Sequence, residues 1–348
     1  MSETHLLLAS EPGGHLLELA ALRSVWGPST RAWITLSSPD SECLLRDERV
    51  FFAHGPTCRN IWNLLRNVLV AWSVVSKLKP KVLLAAGSGL VVPVAWVARI
   101  RGVKVVYVEC GGRIKSPSLS CRLVAPVAQD VYVQCPDITS TIRRARYVGR
   151  VAFPVSSEEP LHDRDELLLL ATVGTSRTFA FDRLLSALDE TRLPPWVRLV
   201  VQHGVSKVRP QGGCLFDFVP FDQLQELVRR ASYVVMHGGI GSITLALTHG
   251  KHPIVMPRGQ RFGEAVDDHQ LDFARRMEED GLVTVVHNAV ELRHALKTVG
   301  RTMPHPKPAR DDPLGRELQR IIARHLRSTT AHTRATPSFR SFGVTRDG

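Results

Sequence analysis

The chain has 348 residues, 44% of them hydrophobic and 22% charged, with a mean hydropathy of −0.03. That is enough for two domains with cores of their own, and it excludes wholesale disorder, a collagen-like repeat and a polytopic membrane protein. Lys and Arg exceed Asp and Glu by 12 charges, which points to phosphorylated ligands, polyanions or an anionic membrane without choosing among them.

In chain order, residues 1–150 alternate short Val/Leu runs with amphipathic ones. Strands are expected over 6–10, 31–36, 82–86, 103–109 and 131–134, and helices over 15–25, 61–77 and 90–101. Strands greasy on both faces that alternate with helices make a parallel sheet with helices on either side. Residues 151–166 lose the periodicity, gather Pro, Ser and charge, and read as a linker.

The pattern restarts in 167–326, with strands over 167–173, 197–202, 214–219, 233–236, 253–256 and 282–286. Helices are expected over 181–190, 222–230, 242–248, 268–280 and 314–326. This is a second α/β domain. Residues 327–348, rich in Ser, Thr and Arg, read as a disordered tail. No basic leader precedes the first apolar run, so no signal peptide is expected. Neither 61–78 nor 83–97 reaches the roughly eighteen uninterrupted apolar residues of a spanning helix. The cysteines, Cys43, Cys58, Cys110, Cys121, Cys135 and Cys214, contain no C-x-x-C pair; they form neither a zinc motif nor a disulfide framework, and a reducing cytoplasm suits them.

Open parallel sheets bind ligands beyond the carboxyl ends of their strands, so the loops there carry the chemistry. The first runs from Glu11 to His15. Gly13 and Gly14 allow close backbone approach to a ligand, the helix start offers free N–H groups to an anion, and His15 is either a base kept neutral by the helix dipole or a solvated cap. The second is His237, Gly238, Gly239, Ile240, Gly241 and Ser242, where glycines and a helix start suit a diphosphate. It lacks the third glycine of a dinucleotide fingerprint, and the following strand ends at Arg258 where an acid belongs, which disfavours NAD.

The third loop, 257–270, offers Glu264, Asp267, Asp268, His269 and Gln270 to a ring of hydroxyls; Asp267 reads more readily as a helix cap. Arg258 and Arg261 beside it suit a uronic acid donor or are plain surface cations. The fourth, Gly174, Thr175 and Ser176, either offers short hydroxyls and a glycine to the same cleft or is an ordinary turn.

Together these loops resemble a known family. Segments 172–175, 218–224, 237–242 and 262–270 resemble the donor-binding subunit of the two-subunit UDP-N-acetylglucosamine transferase of dolichol-linked oligosaccharide assembly, and its bacterial counterparts in exopolysaccharide synthesis. Pro12 to His15, Lys79-Pro80, 86–89 with Pro93, and Glu109 to Arg113 resemble the acceptor-binding partner subunit, here fused in front. The resemblance implies a GT-B fold, two Rossmann-like domains facing a cleft, with the UDP-sugar on the second and a polyprenyl-diphosphate-linked acceptor reaching the first from the membrane. Carried over, the 238–242 loop holds the donor diphosphate, with Gly174, Thr175 and His237 beside it and Glu264, Asp268, His269 and Gln270 around nucleotide and sugar. Gly13, Gly14 and Arg113 face the acceptor, and His15 and Glu109 are the candidate catalytic groups.

The family's glutamate after the glycine loop is replaced by Leu245, so either Glu264 takes over its ribose contact or the donor sits differently. The implied reaction is an inverting transfer with no metal and no other cofactor, because the protein supplies the positive charge that other transferases take from a cation held by D-x-D; the D-x-D match at 163–165 lies in the linker. The acceptor subunit's spanning helix is missing, so the enzyme is expected to be cytoplasmic and peripheral at the inner face of the membrane. Residues 61–78 are its candidate membrane-binding surface, although a core helix with its tryptophans inside is the simpler expectation. Rival readings are a UDP-sugar 2-epimerase of similar architecture and a basic scaffold protein; no nucleic-acid motif accompanies the charge.

Overall fold

The Val/Leu runs become strands buried on both faces, and they assemble into two parallel sheets. In the computed structural model, which describes residues 4–26, 29–57, 60–151, 167–176, 178–302 and 312–333, the first lobe contains β1 (Leu6–Ala9), α1 (Gly14–Ala21), α2 (Arg23–Trp26), β2 (Arg31–Leu36), α3 (Pro39–Leu44) and β3 (Val50–Ala53). It continues with α4 (Ile61–Leu78), β4 (Val82–Ala86), α5 (Val91–Ile100), β5 (Lys104–Val108), α6 (Leu119–Val124), β6 (Asp130–Val133) and β7 (Ala145–Tyr147). The order is β3-β2-β1-β4-β5-β6-β7.

The second lobe contains β8 (Leu167–Thr172), α7 (Asp182–Thr191), β9 (Val197–Gln202), β10 (Gly213–Phe216), α8 (Phe221–Arg230), β11 (Tyr233–His237) and α9 (Ile240–Thr248). It ends with β12 (Ile254–Met256), α10 (His269–Glu279), β13 (Thr284–Val285) and α11 (Ala289–Thr302), with α12 (Pro313–Thr333) following it in the chain. Its order is β10-β9-β8-β11-β12-β13. Winding reverses between β1 and β4 and between β8 and β11, which puts the expected loops at the two switch points. This is the GT-B architecture.

Several expectations change. The helix expected over 15–25 breaks at Leu22 into α1 and α2. β3, β7, α3 and α6, none of them expected, run only three to six residues each, too short to display a period. The linker, save Val151, and residues 334–348 lie outside the described residues; 327–333, expected as tail, continue α12.

That last helix, expected with the second domain, packs on the first: Leu314, Leu318, Ile321 and Ile322 join Leu6, Leu8, Trp26 and Trp33 in one core. A buried polar clasp reinforces the docking. His325 Nε2 lies 2.7 Å from Asp130 Oδ2, Arg146 also bonds Asp130, and the Tyr132 hydroxyl donates to Glu317 at 3.0 Å. Burial pushes the Asp130 pKa up, but His325, Arg146 and Arg324 overcome it, so the carboxyl sits below its ordinary 3.8.

A carboxylate depressed by folding stabilises the fold above its unfolded pKa, and that contribution disappears as pH falls through the folded value. Asp130→Asn should therefore cost about 1–3 kcal/mol at neutral pH, the penalty of leaving buried polar partners unpaired. Urea denaturation should show the deficit shrinking below pH 4 and the loss beginning at α12. An unchanged midpoint at pH 7 would mean the clasp contributes nothing.

Candidate active site

Gly13 has φ 83° and ψ −141°, open only to glycine, and this turn delivers the chain from β1 into α1. The start of α1 has no side-chain cap and no acidic residue in its first turn. The start of α9, after β11, has neither as well. The two N-termini touch across the seam between the lobes: a β-carbon on Gly14 would lie 2.4 Å from Ile240 Cγ2 and 3.0 Å from the Gly241 nitrogen, and one on Gly241 2.9 Å from the Gly14 nitrogen. Each helix start carries about half a positive charge and unpaired N–H groups, so their convergence with no side-chain cap favours an anion there.

A histidine marks each loop. The His15 ring rests against Gly87, whose added β-carbon would lie 2.3 Å from Nδ1. That Nδ1 is buried without a partner among the described residues. Burial lowers the His15 pKa below 6.5; Glu11 and Glu109 oppose the shift, and Arg113 and His269 add to it. The ring is therefore neutral at pH 7 and able to accept a proton. His237 lies between Gly174 and Gly239, each of whose added β-carbons would come within 2.3 Å of the ring. Burial and the charge of Arg258 take its pKa to about 3, so it stays neutral.

The seam also joins Arg113 to Asp267 at 3.3 Å and Lys115 to Asp272 at 2.7 Å. His269 bonds Asp267. Arg113 and His269, from opposite lobes, thus meet beside His15. Asp268, not Asp267, occupies the N-cap position of α10, and it accepts from the Gln260 N–H at 2.8 Å. The Gln270 side chain accepts from the Arg258 N–H at 3.3 Å and packs on Gly238. Thr175 is exposed, and Ser242 is partly buried in the first turn of α9.

Two expected contact residues have other duties. Glu109 is fully buried and accepts from the Cys110 N–H at 2.8 Å, the Ser118 N–H at 2.8 Å and the Ser118 hydroxyl at 3.1 Å. A carboxylate so enclosed shapes the 110–118 loop and meets no reactant. Glu264 is 6% exposed and is held by Arg183 at 2.8 and 3.0 Å and by the Gly259 N–H at 3.1 Å, so its oxygens are not free for a ribose.

Arg258 is no surface cation: it is 3% exposed and donates to the carbonyls of Val173 at 2.7 Å, Phe179 at 2.8 Å and Glu264 at 3.1 Å. It braces the Gly174 turn and does not await a uronate. Sequence reasoning passed over Glu11, which accepts from the Leu90 N–H at 3.0 Å, and Glu18, buried beneath His15. The period-3 spacing of His15 and Glu18 was the available signal.

Comparison with known proteins finds two family matches along the chain. Residues 52–151 match the family described as "Oligosaccharide biosynthesis protein Alg14 like", and residues 170–314 match the "Glycosyltransferase family 28 C-terminal domain". The UDP-N-acetylglucosamine transferase subunit alg14 of Schizosaccharomyces pombe is 36% identical over 26% of this chain, which spans only 45% of that relative. A pyrophosphoryl-undecaprenol N-acetylglucosamine transferase of Moorella thermoacetica is 24% identical over 80% of this chain and 79% of its own length. Among solved structures, MurG of Acinetobacter baumannii superposes with a TM-score of 0.55 at 14% identity, covering 92% of this chain and 99% of that one. A UDP-GlcNAc 2-epimerase of Neisseria meningitidis gives 0.60 at 12%, covering 93% and 100%. At such identities these two structures speak for the fold alone.

Proposed function

We propose that this chain, an Alg14-like half fused to a family 28 C-terminal half, transfers a sugar from a UDP-sugar to a saccharide carried on polyprenyl diphosphate. The observation that carries this reading is the meeting of two uncapped helix N-termini. Each suits one diphosphate, the donor's at α9 and the acceptor lipid's at α1, and Arg113 adds a cation at the seam. N-acetylglucosamine, the sugar named for both relatives, is the first donor to test. His15, neutral and partly buried, takes the proton of the acceptor hydroxyl. The oxygen then displaces UDP in line, inverting the anomeric carbon, while the α9 dipole and N–H groups stabilise the departing diphosphate. Fixed positive charge from the protein stands in for a cation, so transfer proceeds without added metal. The setting is lipid-linked glycan or exopolysaccharide assembly at the inner face of the membrane.

The membrane surface is α4 with its neighbours. Its inward face carries Asn63 and Asn67, which bond the carbonyls of Pro56 and His54 at 3.0 and 2.9 Å. Outward it shows Ile61, Trp62, Leu65, Leu69 and Trp72, with Trp62 75% and Leu69 72% exposed. The expectation of a core helix with its tryptophans inside is thus reversed. Trp96 and Ile100 of α5 and Leu119 and Leu123 of α6 extend the apolar face, and Arg66, Arg99 and Arg122 are exposed among them. No helix among the described residues is long and apolar enough to cross a membrane; a face of this kind lies in the interface. Trp62→Glu with Leu69→Glu should reduce co-sedimentation with anionic vesicles roughly 10-fold or more, since two buried apolar anchors become charges, while UDP affinity stays. Undiminished sedimentation would remove α4 from the membrane contact.

The reading is tested by incubating the purified protein with labelled UDP-sugars, UDP-N-acetylglucosamine first, with and without polyprenyl-diphosphate-linked saccharides. Label entering the lipid phase supports transfer. A UDP-sugar altered with no lipid present would favour the epimerase reading instead.

A further inference from the structure

Folding assembles a donor set that no spacing in the sequence displays. One turn of α1 places Glu18 beneath His15, and the loop leaving β5 brings Cys110 to both, so that an imidazole nitrogen, a carboxylate oxygen and the thiol sulfur lie within 4.8 Å of one another. Glu18 is 3% exposed. Its Oε1 accepts from the Gly111 N–H at 2.8 Å and from Gln134 Nε2 at 2.9 Å, and the Cys110 thiol lies beside the same carboxyl. Gln134 is fixed in turn by the carbonyl of Glu109 at 3.0 Å and the N–H of Val151 at 2.9 Å. Such outer bonds are what orient metal-ligating carboxylates. The third donor residue, His15, keeps a buried Nδ1 with no partner among the described residues.

We propose that His15, Glu18 and Cys110 form a binding site for a thiophilic divalent cation, Zn²⁺ or Co²⁺, and that its occupancy stops transfer by engaging His15. A set of one imidazole, one carboxylate and one thiolate selects zinc or cobalt over magnesium, so this is not the cation site of a metal-dependent transferase. Three protein ligands with a fourth position open to water is a common zinc arrangement. Metal–ligand distances of about 2.0–2.3 Å require donors about 3.3–3.7 Å apart, which the three side chains reach by closing about 1 Å. On binding, the thiol and the carboxyl give up any protons they hold. The site itself rests on geometry alone; its effect on turnover rests on the catalytic role proposed for His15.

The test is titration of the full-length protein with Co²⁺. One equivalent should produce a thiolate-to-cobalt charge-transfer band in the near ultraviolet, and Zn²⁺ should displace it. Cys110→Ser, with Cys110→Ala as a second variant checked by circular dichroism, should abolish the band, and Glu18→Gln should weaken cobalt affinity roughly 10-fold or more. No band, or a band that survives both Cys110 substitutions, overturns the site. Stoichiometric zinc should also inhibit transfer in the wild type and spare the Cys110 variants. Zinc that binds at these residues yet leaves turnover unchanged overturns the inhibitory half of the proposal, together with the role of His15, and leaves the UDP site of the second lobe untouched.

Discussion

His15→Ala lowers the rate of sugar transfer by roughly 10²–10⁴-fold, the span typical of removing a general base, while UDP binds as before. The two effects separate because they belong to different lobes: the ring sits at the start of α1 against Gly87, and the donor diphosphate is assigned to α9. His15→Gln is the companion variant, since it keeps a polar side chain over Gly87 but cannot take up a proton. Both variants losing turnover at unchanged UDP affinity identifies the missing base. Turnover preserved in His15→Gln would reduce the histidine to a spacer.

Gly241→Ala should be nearly as damaging by another route. Its new methyl group would lie 2.9 Å from the nitrogen and 3.0 Å from the α-carbon of Gly14. Both are backbone atoms, so no side chain can swing aside and the lobes themselves must part. Displacing reacting groups by about 1 Å can cost roughly 10²-fold in rate, and transfer is expected to fall by that order. Each lobe has its own cores, so the secondary structure should survive, visible as an unchanged far-ultraviolet spectrum. Wild-type transfer in Gly241→Ala would show that the lobes work at a wider separation than the structure displays.

The sheets were legible because their central strands, such as β4 with Val82, Leu83, Leu84, Ala85 and Ala86, are wholly buried and must be apolar throughout. The glycine loops were legible for a related reason: a strand that ends in two glycines before a helix leaves few alternatives. Pairings between distant residues were not. Nothing near Glu264 in the sequence announces Arg183, and nothing near Glu109 announces how Ser118 would enclose it, so one acid reads as a ribose contact and the other as a catalytic group when both are loop braces. The outward face of α4 was misread because period-3.6 apolar spacing describes a stripe without saying which side faces protein; the inward asparagines, Asn63 and Asn67, decide it. The docking of α12 on the first lobe was hidden likewise, since Leu314, Leu318 and Ile321 would suit either domain.

Isothermal titration of the purified protein with UDP, in the presence of a chelator, probes the shared seam most directly. The expected result is saturable heat at one UDP per chain, kept in His15→Ala. An absence of heat in the wild type, or heat that appears only when a divalent cation is supplied, would contradict the assignment of the donor diphosphate to the start of α9.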